Sequence, residues 1–206
     1  MTNLTVDQIL SVMNRKIYRV YDTRTVDWNL NIVGIRSKNL KAGQFDDTIA
    51  VFHRVSGKWA LCLWPITTDP GTFYLENPQS KAGTAILKEG QYSGAYKIDV
   101  HAKGKRGEHV ALCQRLGEVT VYRDPTRDDE LNLIPGTEDT GFFGINIHRS
   151  RASDQPLFTN YDASAGCQVF ADKRHFELFM LMCQNGRRAF GNKFTYTLLK
   201  EEDFRS

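Results

Sequence analysis

Two residues in this chain have the types and spacing for covalent chemistry: His148 and, nineteen positions later, Cys167, in the stretch NIHRSRASDQPLFTNYDASAGCQVF. A thiolate attacks carbonyls far better than a thiol, so a catalytic cysteine needs a neighbour that takes its proton. Histidine is suited to that work because its unperturbed pKa, about 6.5, lets it take and return a proton near neutrality. The tetrahedral intermediate of acyl transfer also needs donors for its oxyanion, commonly consecutive backbone N–H groups. The small-residue run Ser164-Ala165-Gly166-Cys167 can aim the amides of Ala165, Gly166 and Cys167 at one point. A working pair requires His148 within, or just beyond, hydrogen-bond reach of Cys167, and a thiol that opens onto a cleft.

The other cysteines, Cys62, Cys113 and Cys183, sit in the apolar contexts ALCLW, ALCQR and LMCQN and read as small buried thiols. No Cys-x-x-Cys and no short Cys/His spacing occurs, so neither a metal site nor any other cofactor is expected. His175 falls on a predicted helix and reads as a surface residue.

The elements that must position the pair are mostly strands. Thr5 and Gln8 form a capping box ahead of Val6, Ile9, Leu10 and Met13, which predicts a short N-terminal helix. From Tyr18 onward short alternating segments recur. WNLNIVGI alternates Trp28, Leu30 and Ile32 with polar residues. DTIAVFHRV and KWALCLWPI flank Ser56-Gly57 and predict a hairpin, TTDPGTFYL carries a Pro-Gly turn, and GTAILKEGQY, AYKIDVH, EHVALCQ and EVTVYRD follow. That rhythm predicts a barrel or sandwich rather than βαβ units. RDPTRDDELNLIPGTEDT reads as a long solvated loop without the spacing of a calcium loop, and GFFGINIHRS as a strand ending at His148. After Cys167, a helix capped by Asp172 and closed by Gly186 buries Phe176, Phe179, Met180 and Cys183. KFTYTLLK is a final strand.

Length and composition bound the rest. The 206 residues fit one domain, 1–206, with residues 1–16 as a helical extension. A net charge of +3, from 27 basic and 24 acidic residues, is too small to imply nucleic acid. The densest basic run, His101–His109, reads as a solvated hairpin turn. No stretch approaches a membrane span or a signal peptide.

The order strand, histidine, loop, small-residue elbow, cysteine, strand resembles the L,D-transpeptidase family, whose signature is a histidine, a spacer of some fifteen to eighteen residues, and Ser/Thr-His-Gly-Cys. Here fifteen residues, Arg149 to Ala163, separate His148 from Ser164-Ala165-Gly166-Cys167. The resemblance implies a mainly β fold, an L,D-transpeptidase-like barrel or sandwich with one helix after the cysteine. It makes Cys167 the nucleophile and His148 the base, with the main-chain carbonyl of Arg149 orienting the imidazole. Ser164, Ala165, Gly166, Gln168 and Tyr161 form the expected oxyanion and substrate-binding set.

The resemblance further implies cleavage or transfer of peptidoglycan stem peptides through a cysteine acyl-enzyme. Two positions depart from the family pattern: the histidine before Gly-Cys is Ala165, and the Arg or Asn two residues after the cysteine is Val169. Without a recognisable export signal, the expectation is a protein made in the cytoplasm and delivered to the wall by a phage particle or injection machine. The alternative from another class is a non-catalytic virion or wall-binding protein that keeps the fold.

Overall fold

The computed structural model describes residues 4–150 and 164–205. Eight strands form a closed barrel and three more form a small separate sheet. The expected barrel or sandwich is thus a barrel, with its N-terminal helix and a long helix after Cys167.

Helix α1 (Val6–Arg15) begins with the capping box: the Gln8 amide donates to Thr5 Oγ1 at 3.3 Å, and the Thr5 amide donates to Gln8 Oε1 at 2.9 Å. It is packed rather than appended. Ile9, Val12 and Met13 join Val33, Ile35, Ala50, Phe52 and Leu199 in a buried cluster on the outside of the barrel. Strand β1 (Asn31–Arg36) is therefore covered on both faces, by α1 outside and by the barrel interior through Ile32, and all six of its residues are buried. The one-sided alternation read from WNLNIVGI fails for that reason.

Strands β2 (Asp47–Val55) and β3 (Lys58–Thr67) form the expected hairpin, with Ser56 at φ 48° and Gly57 at φ 77° in its turn. TTDPGTFYL does not continue as strand. Its second half is helix α2 (Thr72–Glu76), with Gly71 as N-cap. Strand β4 (Thr84–Leu87) then leaves the barrel to pair with β7 (Val119–Asp124), which pairs in turn with β8 (Asp139–Gly141). Strands β5 (Gly90–His101) and β6 (His109–Gln114) make the hairpin whose tip is the basic run.

GFFGINIHRS is not one strand. Pairing stops at Gly141 and resumes only in β9 (Ile147–Arg149). Between them, Gln114 Oε1 accepts the amides of Gly144 and Ile145 at 2.8 and 3.1 Å, so side chains take the place of a ladder. Strand β10 (Gln168–Phe170) pairs parallel with β9 and antiparallel with β3.

Helix α3 (Lys173–Phe190) starts at Asp172, as read, and buries Phe176, Phe179, Met180 and Cys183. It runs past Gly186 to Gly191. Gly186 is a contact rather than a stop: a Cβ there would lie 3.1 Å from the Trp28 carbonyl oxygen. Strand β11 (Phe194–Lys200) closes the barrel between β1 and β5. Among the described residues no helix is long and apolar enough to cross a membrane.

Candidate active site

The elbow carrying Cys167 is built by short-range bonds. Gly166 has φ 127°, and a Cβ at that position would collide with the Ala85 carbonyl, so only glycine fits. Ser164 staples the turn: its Oγ accepts the Gly166 amide at 3.0 Å and donates to the Cys167 carbonyl at 2.9 Å. The Ser164 carbonyl accepts the Gly71 amide at 2.8 Å, fastening the elbow to the start of α2. Ser164 is thus an architectural residue. The Gly166 amide is spent on it, which corrects the expected set of three oxyanion donors and leaves the amides of Ala165 and Cys167.

Gln168 is also corrected as a substrate contact. It is fully buried, accepts from Tyr196 OH at 2.9 Å, and donates to the Thr68 and Gly166 carbonyls at 3.5 and 3.4 Å. Its side chain holds the elbow from beneath. Tyr161 lies outside the described residues.

Parallel pairing sets Gln168 beside Ile147 and Val169 beside His148. Side chains two apart share a face, which brings Asn146 and His148 to the same side of the wall as Cys167 and Val169. His148 is buried, and its Nδ1 lies 2.7 Å from the Arg149 carbonyl, the group expected to orient it. A carbonyl can only accept, so Nδ1 carries the proton and Nε2 presents a lone pair. That Nε2 is enclosed and has no hydrogen-bond partner among the described residues.

The thiol does not bond to it. Cys167 Sγ accepts the Asn146 amide at 3.3 Å and donates to the Gly144 carbonyl at 3.4 Å. Burial pushes the thiol up to about 11, with the Asn146 amide acting weakly the other way. Burial, and then the neighbouring His101, bring His148 down to about 3. At neutral pH the resting pair is a neutral thiol and a neutral imidazole, not an ion pair.

Three residues that sequence reasoning passed over complete the cluster. His101 and His109 face each other across the β5–β6 hairpin, and His101 stacks on His148 with ring centroids 4.0 Å apart at 18°. Asn146 ties them to the nucleophile. Its amide reaches Cys167 Sγ, its Oδ1 accepts from the Gln114 amide at 3.0 Å, and its Nδ2 lies 3.0 Å from His101 Nδ1. With Nδ2 as donor, His101 Nδ1 must be unprotonated and its Nε2 carries the hydrogen. Burial lowers His101 to about 4 and lowers His109 as well. The only signal in the sequence was a pair of histidines bracketing what looked like a solvated turn.

No group of three or more His, Cys, Asp or Glu among the described residues has the geometry to hold a metal ion. Beside the elbow lies a cavity of about 210 Å³ lined by Ala165, Ala85, Thr84, Tyr74, Phe143 and Arg123 among others. Ala165 opens onto it, whereas Cys167 does not. Compared with known proteins, the chain matches no family model and no curated protein.

Proposed function

We propose that this chain is a cysteine acyl-transfer enzyme acting on peptidoglycan stem peptides, by cleavage or by transfer to a second amine. The observation that carries the reading is the state of His148: Nδ1–H fixed on the Arg149 carbonyl at 2.7 Å, and Nε2 enclosed without a partner among the described residues, on the strand paired with the one that follows Cys167. A buried imidazole lone pair left unpaired costs stability, and a base awaiting a proton explains why the cost is tolerated.

In the proposed reaction the substrate acyl group enters from the side of Ala165. The thiol gives up the Gly144 carbonyl, its proton passes to His148 Nε2, and Sγ bonds to the carbonyl carbon. The amides of Ala165 and Cys167 receive the oxyanion. Collapse breaks the C–N bond, and the imidazolium returns the proton to the departing amine. Water or a second amine, deprotonated by His148, then releases the acyl group and regenerates the thiol. In this reading Arg123, half-buried at the neighbouring cavity, exchanges its Asp139 partner at 2.9 Å for a substrate carboxylate.

Incubating the chain with defined muropeptides, followed by mass spectrometry of products and protein, tests this. Expected are a shortened or exchanged stem peptide and an acyl adduct on Cys167, both absent in Cys167→Ala.

The second reading is a non-catalytic virion or wall-binding protein, favoured by the thiol's own bonds to Asn146 and Gly144 and its pKa near 11. It requires Cys167 to alkylate no faster than a free thiol at mildly acidic pH, both with and without muropeptide.

A further inference from the structure

A second cavity, of about 430 Å³, shares no lining residue with the one beside Ala165. It lies between the segment ahead of β1, the bend in β5, the C-terminal end of α3 and the start of β11. Its walls include Arg19, Tyr21, Trp28, Phe190, Lys193 and Thr195. The acyl-transfer reading has no use for it.

Three properties of this cavity converge. The first is charge. Arg19 and Lys193 are the only charged side chains in the lining, no carboxylate accompanies them, and neither has an ion-pair partner among the described residues. An anion placed there meets two cations without displacing a partner.

The second is the aromatic surface. Trp28 has φ 72°, a left-handed backbone that a bulky residue rarely adopts. It is held there by stacking on the His53 ring, with centroids 4.5 Å apart at 24°, and the His53 ring is itself fixed by Nδ1–H donating to the Arg54 carbonyl at 2.8 Å. The fold thus tolerates a strained residue to set this indole in a cavity wall. Phe190, 43% exposed, adds a second ring face.

The third is hydrogen bonding. Tyr21 OH and Thr195 Oγ1, 2.6 Å apart, offer hydroxyls, and the end of α3 brings last-turn carbonyls that the helix itself cannot satisfy. Cations, ring faces and carbonyl acceptors together match a ligand with an acid group, an apolar ring face and several hydroxyl donors.

We propose that this cavity binds an anionic sugar, a pyranose bearing a carboxylate or a phosphate. Its acid group sits between Arg19 and Lys193, its ring lies on Trp28 and Phe190, and its hydroxyls reach the helix end. The volume is within the usual range of small-molecule sites, about 300–1,000 Å³.

The test is a titration of the full chain with glucuronic acid, glucose 6-phosphate, glucose and inorganic phosphate, followed by amide and indole N–H resonances. Expected are saturable shifts centred on Trp28 and Lys193 with at least one anionic sugar. Glucose and phosphate alone should bind at least tenfold more weakly. The tighter of the two anionic sugars identifies the acid group. Arg19→Gln with Lys193→Gln, both at exposed positions, should weaken binding at least tenfold with the remaining spectrum unchanged. Lys193→Gln alone should give a smaller loss and guards against misfolding of the double variant. Absence of saturable shifts with both anionic sugars overturns the proposal. So does equal binding of glucose or of phosphate, or undiminished binding by the charge-free variants.

Discussion

Two buried polar clusters lie on either side of the elbow, and they are built on opposite terms. Around Arg36 every strong group has a partner. The guanidinium donates to Thr68 Oγ1 at 3.0 Å, Asp69 at 3.2 Å, Glu89 at 3.1 Å and the Thr68 carbonyl at 3.2 Å. Asp47 accepts the amides of Ser37 and Thr68. Around His148 the neighbouring charges are the guanidiniums of Arg149 and Arg115, the latter donating to Asn146 Oδ1 at 3.4 Å. Satisfaction there is incomplete: among the described residues the enclosed Nε2 atoms of His109 and His148 are both without partners. Buried polar groups are normally paired, and the exceptions call for a reason. The comparison teaches that the first cluster is framework, whereas the second holds capacity in reserve. They touch through one residue, since the Thr68 carbonyl that accepts from Arg36 also accepts from Gln168 beneath the elbow.

The sharpest way to break the contrast is to remove a member of each. Arg36→Met removes the guanidinium from Asp47 and Asp69 and leaves Glu89 with Lys200 alone, and urea unfolding should report a loss of about 3–5 kcal/mol. A loss below about 1 kcal/mol would show that the ionic cluster is not framework. Cys167→Ala should instead abolish turnover of muropeptides while unfolding within about 1 kcal/mol of the parent. His148→Ala should match it in activity, because base and nucleophile act as a unit. Surviving turnover in either variant removes the pair from the chemistry.

A subtler change probes His101. His101→Phe keeps a ring against His148 but loses the bond to Asn146. That bond is worth about 1 kcal/mol, so Cys167 alkylation should change roughly fivefold and its pH profile should shift. An unmoved profile would make His101 simple filler.

The smallest effect is in the pH dependence of stability, where the clusters pull in opposite directions. His101 and His148 titrate in the fold near 4 and 3, below their unfolded value of 6.5. Their contribution is full above 6.5 and is lost as the pH falls toward 4 and 3. Asp69 is raised by burial to about 6, so its contribution is full below its unfolded 3.8 and is lost as the pH rises to 6. Between pH 4 and 6 the two slopes oppose each other. His148→Phe should therefore flatten the acid loss, and Asp69→Asn should steepen it. Identical slopes in parent and variants would refute both assignments.

What could be read from the residues was local. The Ser56-Gly57 hairpin, the Thr5/Gln8 cap and the stripe of α3 follow from turn chemistry and helical period, and each stands in the structure. Gly186 misled because a glycine that stops a helix and one that admits a neighbouring backbone are identical in sequence. The Trp28 carbonyl that decides between them lies more than a hundred and fifty positions away. Likewise, His148 and Cys167 stood out by spacing, while His101 and Asn146 did not, since only the strand order β5-β6-β9 brings the His101 ring onto His148. Gln168 looked available because a polar residue after a cysteine carries no mark of the Tyr196 hydroxyl that buries it.

Barrel closure has a kinetic consequence. The seam joins β1 to β11 in parallel, Ile32 beside Tyr196, so the earliest and latest strands in the chain are neighbours. Such long-range pairing orders nearly the whole chain before its enthalpy is gained, which places folding at the slow end for domains of this size. Until β11 docks, β1 and β5 both expose unpaired edges, and the stripe of α1 that should cover Leu199 lacks part of its floor. An intermediate missing only its final strand would be sticky rather than merely incomplete, and shortening the chain ahead of β11 should yield aggregates.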